Sequence, residues 1–141
     1  MMIKHRFCLL ALSLLAACAT TQTPVESAHP VQASEAYSAP FNGSGLLVVT
    51  RDKGIMGMGC SIRILMDGYE AGQLNTGEKL SLYLPSGQHA VSAIPGSGCG
   101  GESAETTVSI EAASTHVYRV GSGKEGGIMI GPAVIASGSM R

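Results

Sequence analysis

Tryptophan is absent from the chain, and two phenylalanines and four tyrosines are its only aromatic residues. A core built from this sequence is therefore aliphatic, drawn from Val, Ile, Leu and Met. The 19 glycines spread along the chain provide for many tight turns. Charge is scarce as well, at 13% of residues. Nine basic residues face ten acidic ones, and two of the nine, Lys4 and Arg6, sit in the first few positions. Without those two the balance is seven against ten, which gives no electrostatic basis for binding nucleic acid or an acidic polymer. Zinc sites usually show close ligand pairs such as C-x₂-C, and none is present. The triplets Gly43-Ser44-Gly45, Gly96-Ser97-Gly98 and Gly121-Ser122-Gly123 lack the spacing of a G-x-S-x-G nucleophile elbow. Gly121-Ser122-Gly123-Lys124 is not a phosphate loop: Tyr118 stands where that motif needs Gly, and Glu125 where it needs Ser or Thr. The sequence thus offers no catalytic constellation, no cofactor motif and no small-molecule substrate, and a hydrolase is the weakest of the functional readings.

What is present begins at the N-terminus. Lys4, His5 and Arg6 form a short positive head, Phe7 to Ala17 an uncharged apolar run, and small residues close it. That layout is the pattern of a secretory signal peptide. The run is about half the ~20 residues a membrane-spanning helix needs, so a permanent transmembrane anchor is not expected. Leu15-Ala16-Ala17-Cys18 resembles a bacterial lipobox. The resemblance implies cleavage before Cys18, a diacylglyceryl thioether on its sulfur and acylation of the new amine. A thiol suits this chemistry because its thiolate is nucleophilic near neutral pH. Burial of acyl chains at about 0.8 kcal/mol per CH₂, from more than one chain, then gives firm anchoring. Ala19 in place of an aspartate implies sorting to the outer membrane, facing the periplasm. The competing reading is cleavage by ordinary signal peptidase at the A-x-A pattern Ala17-Cys18-Ala19, releasing a free domain.

The expected organisation is a signal helix over 1–17, a lipidated flexible tether over 18–42 and a single domain over 43–141. The tether is rich in Ala, Ser, Thr, Gln and Pro, shows no apolar period and is interrupted by Pro24, Pro30 and Pro40. It is expected to be disordered. Beyond it, short alternating runs follow one another: 45–51, 60–66, 69–74, 79–84, 88–94, 103–111, 115–121 and a last run from Ile128, bent or ended by Gly131-Pro132. Cys60, Ile62, Ile64 and Met66 share one face, as do Leu80, Leu82 and Leu84, with Val108 and Ile110 inward on a later run. Asp67-Gly68 is a hairpin signal, and Pro85-Ser86-Gly87 a tight turn. No helical period appears after the signal segment. The expected fold is all-β, an antiparallel β-sandwich of about seven short strands.

Two cysteines remain once Cys8 leaves with the signal and Cys18 carries lipid. Cys60 and Cys99, an even pair in an oxidising compartment, are expected to form a disulfide. It would close a loop of roughly 40 residues, worth about 4 kcal/mol from chain entropy.

Ile62-Arg63-Ile64-Leu65-Met66-Asp67-Gly68, followed by Leu82-Tyr83-Leu84-Pro85-Ser86-Gly87-Gln88-His89-Ala90-Val91, resembles the core of PEGA-type domains. The likeness runs over Cys60 to Ile94. It implies a small β-sandwich of the carboxypeptidase-regulatory kind on a bacterial surface protein, and brings no catalytic residue. The name-giving tetrapeptide is missing here, and Ser86 is inserted between Pro85 and Gly87.

Several residues are weighed as sites. Met56, Met58 and Cys60 alternate, so an extended backbone puts three sulfur ligands on one side, a set suited to Cu(I), with His89 or His116 to complete it. Against this, Met is a ready gap-filler, and a bridged Cys60 offers no thiolate. A zinc site from Cys60, Cys99, His89 and His116 ranks below the copper one. His89 and His116 each have the chemistry of a base, but both sit inside expected strands. Asp67 and Glu70 flank a hairpin, where turn chemistry accounts for them. The apolar stretch from Ile128 to Ala136 is either a partner-binding or membrane-touching edge, or a last strand covered by the sandwich. The functional expectation is a non-enzymatic envelope lipoprotein held by acylated Cys18, binding another envelope protein or serving as an accessory module. A periplasmic Cu(I)-binding protein is the alternative.

Overall fold

The computed structural model describes residues 22–53, 59–123 and 127–133. Cys18 and the whole signal segment, Met56, Met58 and the tail from Val134 lie outside the described residues. Nine strands follow in order: β1 His29–Val31, β2 Ser44–Arg51, β3 Ile62–Met66, β4 Tyr69–Leu74, β5 Glu78–Pro85, β6 Gly87–Pro95, β7 Ala104–Ile110, β8 Thr115–Ser122 and β9 Ile128–Pro132. They form two sheets, one ordered β1-β5-β2-β8-β9 and the other β4-β3-β6-β7. Leu47, Val49, Leu80, Leu82, Leu84 and Val120 from the first sheet share one buried cluster with Ile62, Ile64, Met66, Leu74, Val91 and Val108 from the second. The fold is an all-β sandwich.

Alternation explains why these segments are strands. Along β3 the burial runs inward at Ile62, Ile64 and Met66 and outward at Arg63, and β5 buries Leu80, Leu82 and Leu84 in the same way. Each such aliphatic side chain, fully removed from water, contributes roughly 1.5–3 kcal/mol. The β3–β4 hairpin turns on Asp67 and Gly68, whose φ values of 49° and 86° are the pair of positive angles a type I′ turn requires.

The expected architecture needs three corrections. There are nine strands among the described residues where about seven were expected. The larger sheet is mixed, because β2 runs parallel to β8 and β1 parallel to β5. And the stretch read as a disordered tether joins the domain over much of its length. β1 pairs with the edge of β5. A single 3-10 turn follows at Glu35–Tyr37, and Val31, Ala33 and Tyr37 pack against the core.

Three polar contacts fix this segment. His29 N–H donates to the Gly77 carbonyl at 3.0 Å, Lys79 Nζ donates to the Val25 carbonyl at 2.7 Å, and Ser34 N–H donates to the Ala71 carbonyl at 2.8 Å. The last of these answers an irregularity in β4. The β3–β4 register shifts between Ile64 and Leu65, so Ala71 is left over as a bulge residue. Its neighbour Gly72 faces the opposite sheet so closely that a Cβ there would lie 2.8 Å from the Leu80 δ carbons.

Candidate functional site

Two clusters of titratable side chains lie at opposite ends of the sandwich. At one end, β2 finishes with Arg51, which is only 5% exposed. Its guanidinium donates to the carbonyl of Leu74 at 2.9 Å and to that of Cys60, tying the central strand to both strands of the β3–β4 hairpin. Burial lowers its pKa, and the nearby charge of Glu78 opposes that shift. Next to it the buried Asp52 carboxylate accepts from Arg119, with Nε at 3.3 Å from Oδ1 and Nη2 on Oδ2, and from the Thr23 N–H at 3.4 Å. Gly121 leaves the room this pair needs, since a Cβ there would press on Asp52 Oδ2. Beside the Cys60 carbonyl, the Cys60 and Cys99 sulfurs form a disulfide with Cα atoms 5.8 Å apart, pinning the Gly-rich β6–β7 loop to the start of β3.

At the opposite end lies a pair that sequence reading treated as separate turn and strand residues. Asp67 Oδ1 accepts the Ala90 N–H at 2.8 Å, and Oδ2 lies 2.7 Å from His89 Nδ1. His89 Nε2 lies 2.8 Å from the Pro85 carbonyl. A carbonyl only accepts, and an ionised carboxylate only accepts, so the imidazole fits this place best with a proton on each nitrogen. Burial pulls the His89 pKa down, but the bonds to Asp67 and Pro85 and the Asp67 charge outweigh it, and the net shift is upward. Asp67 moves down, chiefly through its bond to His89, helped by the Ala90 N–H and the His89 charge against a burial effect of opposite sign. Tyr37 lies within electrostatic reach of this carboxylate. The Tyr37 hydroxyl is pushed up by burial and by the charges of Asp67 and Tyr69.

Near this end the β1–β2 and β7–β8 connections border an open groove of about 500 Å³. Phe41, Leu46, Tyr83, Ala113 and Ser114 are among its lining residues, and no acidic, basic or imidazole side chain is. Gly45 sits under it, where a Cβ would strike the Glu111 carbonyl and the Ile110 side chain.

These positions decide several of the sequence readings. Cys60 is bonded to Cys99, so it cannot serve as a thiolate ligand beside Met56 and Met58, and the copper set fails at its one cysteine. The zinc set fails as well, because both thiols are consumed and His89 is satisfied at the far end. Among the described residues no group of three or more His, Cys, Asp or Glu side chains is disposed to hold a metal. His116 lies on β8 with a buried Nε2 that has no hydrogen-bond partner among the described residues. Glu70 pairs across β3–β4 with Arg63 at 3.4 Å, both half exposed. The Asp67–His89 pair was missed because its members are 22 residues apart and meet only through the β3–β6 ladder. The one available signal was Asp-Gly in a hairpin, which placed Asp67 correctly but not its partner.

In comparisons with known proteins, no family model, no curated protein and no solved structure matches the chain.

Proposed function

We propose that this protein is a lipid-anchored envelope lipoprotein, held by an acylated Cys18 and presenting a PEGA-like sandwich as a non-enzymatic binding or accessory module. The observation that carries the proposal is the run Leu15-Ala16-Ala17-Cys18 at the end of a signal-type segment. The Cys60–Cys99 disulfide supports it from an independent direction, since such bonds persist in the oxidising compartments that an exported domain enters. The polar groups of the domain also fit a scaffold role. Arg51, Asp52, Asp67 and His89 all spend their hydrogen bonds on the protein's own backbone or, for Asp52 with Arg119 and Asp67 with His89, on another side chain.

The experiment is metabolic labelling with palmitate in a bacterial host, combined with mass measurement of the mature N-terminus. The wild-type chain takes up label, starts at Cys18 and fractionates with outer membrane. Cys18→Ser loses the label and appears in the soluble periplasmic fraction or retains its signal. An unlabelled wild-type chain starting at Ala19 or later would mean ordinary secretion and end the proposal.

A further inference from the structure

We propose that the outer edge of β7, an end strand among the described residues, is a self-association surface, which pairs antiparallel with β7 of a second copy of this chain about a two-fold axis at Thr107. The two sheets end in four edge strands, β1 and β9 in one and β4 and β7 in the other. Three of them carry devices that block further pairing. β1 is three residues long and contains Pro30, β9 ends in Gly131-Pro132, and β4 is bulged at Ala71, whose carbonyl is taken by Ser34. β7 runs for seven residues with no proline, no lysine and no register shift against β6.

The direction of its backbone groups follows from β6. Ala90 donates its N–H to Asp67 Oδ1 and accepts the Asp67 N–H on its carbonyl, so its polar groups face β3. Backbone groups alternate sides along a strand, so His89 and Val91 face β7, where they pair with Val108 and Thr106. Glu105, Thr107 and Ser109 therefore turn their N–H and C=O groups away from the sheet, and their side chains are exposed. Among the described residues the one hydrogen bond to these outward backbone groups is from the Tyr118 hydroxyl to the Thr107 carbonyl, long at 3.4 Å.

This edge is complementary to itself. Centred on Thr107, an antiparallel pair sets Thr107 against Thr107 and Glu105 against Ser109 on either side. Each pair exchanges both backbone hydrogen bonds, and facing threonines are favourable cross-strand neighbours. The Glu105 carboxylate already accepts Ser92 Oγ at 2.7 Å and meets a hydroxyl, not another carboxylate, across the axis. Centring on Glu105 would oppose two like charges, and centring on Ser109 would run Glu105 past the end of the partner strand. The register at Thr107 is the one that uses all three outward residues, and it joins the two smaller sheets into one continuous sheet. A closed two-fold interface of this kind stops at a dimer.

The surface does not depend on lipidation of Cys18, so it is tested on the full chain in detergent with Cys8→Ala and Cys18→Ala in place. Light scattering should give a protein mass twice that of one chain. Thr107→Pro removes an N–H that has no partner among the described residues, and should yield a single-chain mass with the β-type circular dichroism retained. Should that variant unfold, Thr107→Lys replaces it, with the same loss of dimer expected. In oxidising buffer Thr107→Cys should cross-link with itself, whereas Glu105→Cys should cross-link with Ser109→Cys and not with itself. A single-chain mass for the parent at all concentrations, a dimer that survives both Thr107 variants, or self-cross-linking of Glu105→Cys would overturn the proposal. The last of these would place a different strand or register at the interface.

Discussion

At the scale of single residues, the Asp67–His89 pair makes stability depend on pH in a direction that can be worked out. His89 has a folded pKa above its ordinary value near 6.5, so its contribution is complete below about 6.5 and is lost as pH rises through the folded pKa. Asp67 has a folded pKa below its ordinary value, so its contribution is complete above about 3.9 and is lost as pH falls through the folded pKa. The pair therefore holds the β3–β4 turn against β6 most firmly in mildly acidic solution, between those two ordinary values. Thermal unfolding followed from pH 5 to pH 9 should show the wild-type melting temperature declining above neutrality. His89→Gln should flatten that decline and be less stable at pH 5, by about 1 kcal/mol after allowance for a half-exposed Asp67. A decline that persists unchanged in His89→Gln would assign it to other groups. The buried Nε2 of His116, with no hydrogen-bond partner among the described residues, is a cost the fold carries without visible return.

At the scale of elements, the strands that the sequence made legible are those whose alternation runs for five or more residues. β3, β5 and the inward pair Val108 and Ile110 of β7 appear where their periods place them, and the Asp67-Gly68 turn joins the strands expected of it. β1 escaped because three residues containing a proline carry no period, and its pairing partner lies some 50 residues away. The parallel contact between β2 and β8 escaped for a related reason: β2 is buried at every position from Leu47 to Arg51, so it reads as a strand, but nothing local records which neighbour a strand chooses or in which direction it runs. The disulfide belongs to this scale too. It fastens the β6–β7 loop to β3 over a separation of 39 residues, a loop worth about 4 kcal/mol from chain entropy. Cys60→Ala with Cys99→Ala should unfold at several degrees lower temperature than the wild type, and reduction of the wild type should reproduce the shift. Equal melting temperatures for oxidised and reduced protein would show that Arg51, which reaches the Cys60 carbonyl from β2, holds this end by itself.

At the scale of the whole molecule, the correction to the tether changes how the proposed anchor presents the domain. Were the chain free from Cys18 to Asn42, its contour would let the sandwich stand some 80 Å from a bilayer, at about 3.3–3.6 Å per residue. But Thr23 is buried and hydrogen-bonded to Asp52, and β1 forms the edge of the larger sheet. Between Cys18 and Thr23 the chain can span at most about 18 Å. If Cys18 is acylated as proposed, it therefore holds the sandwich against the headgroups with the Asp52–Arg119 end nearest the membrane. The opposite, Asp67–His89 end of the sandwich is then turned away from the membrane. A dye on the exposed Ser27, introduced through Ser27→Cys in the lipidated protein, should transfer energy strongly to acceptor lipids in reconstituted vesicles. Twenty Gly/Ser residues inserted after Ala19 should reduce that transfer several-fold while leaving the melting temperature unchanged. Weak transfer from the uninserted protein would mean that residues 23–37 detach from the sandwich at the membrane. In that case β5 would expose an unpaired edge, and the domain should melt at a lower temperature without the cover of Val31, Ala33 and Tyr37.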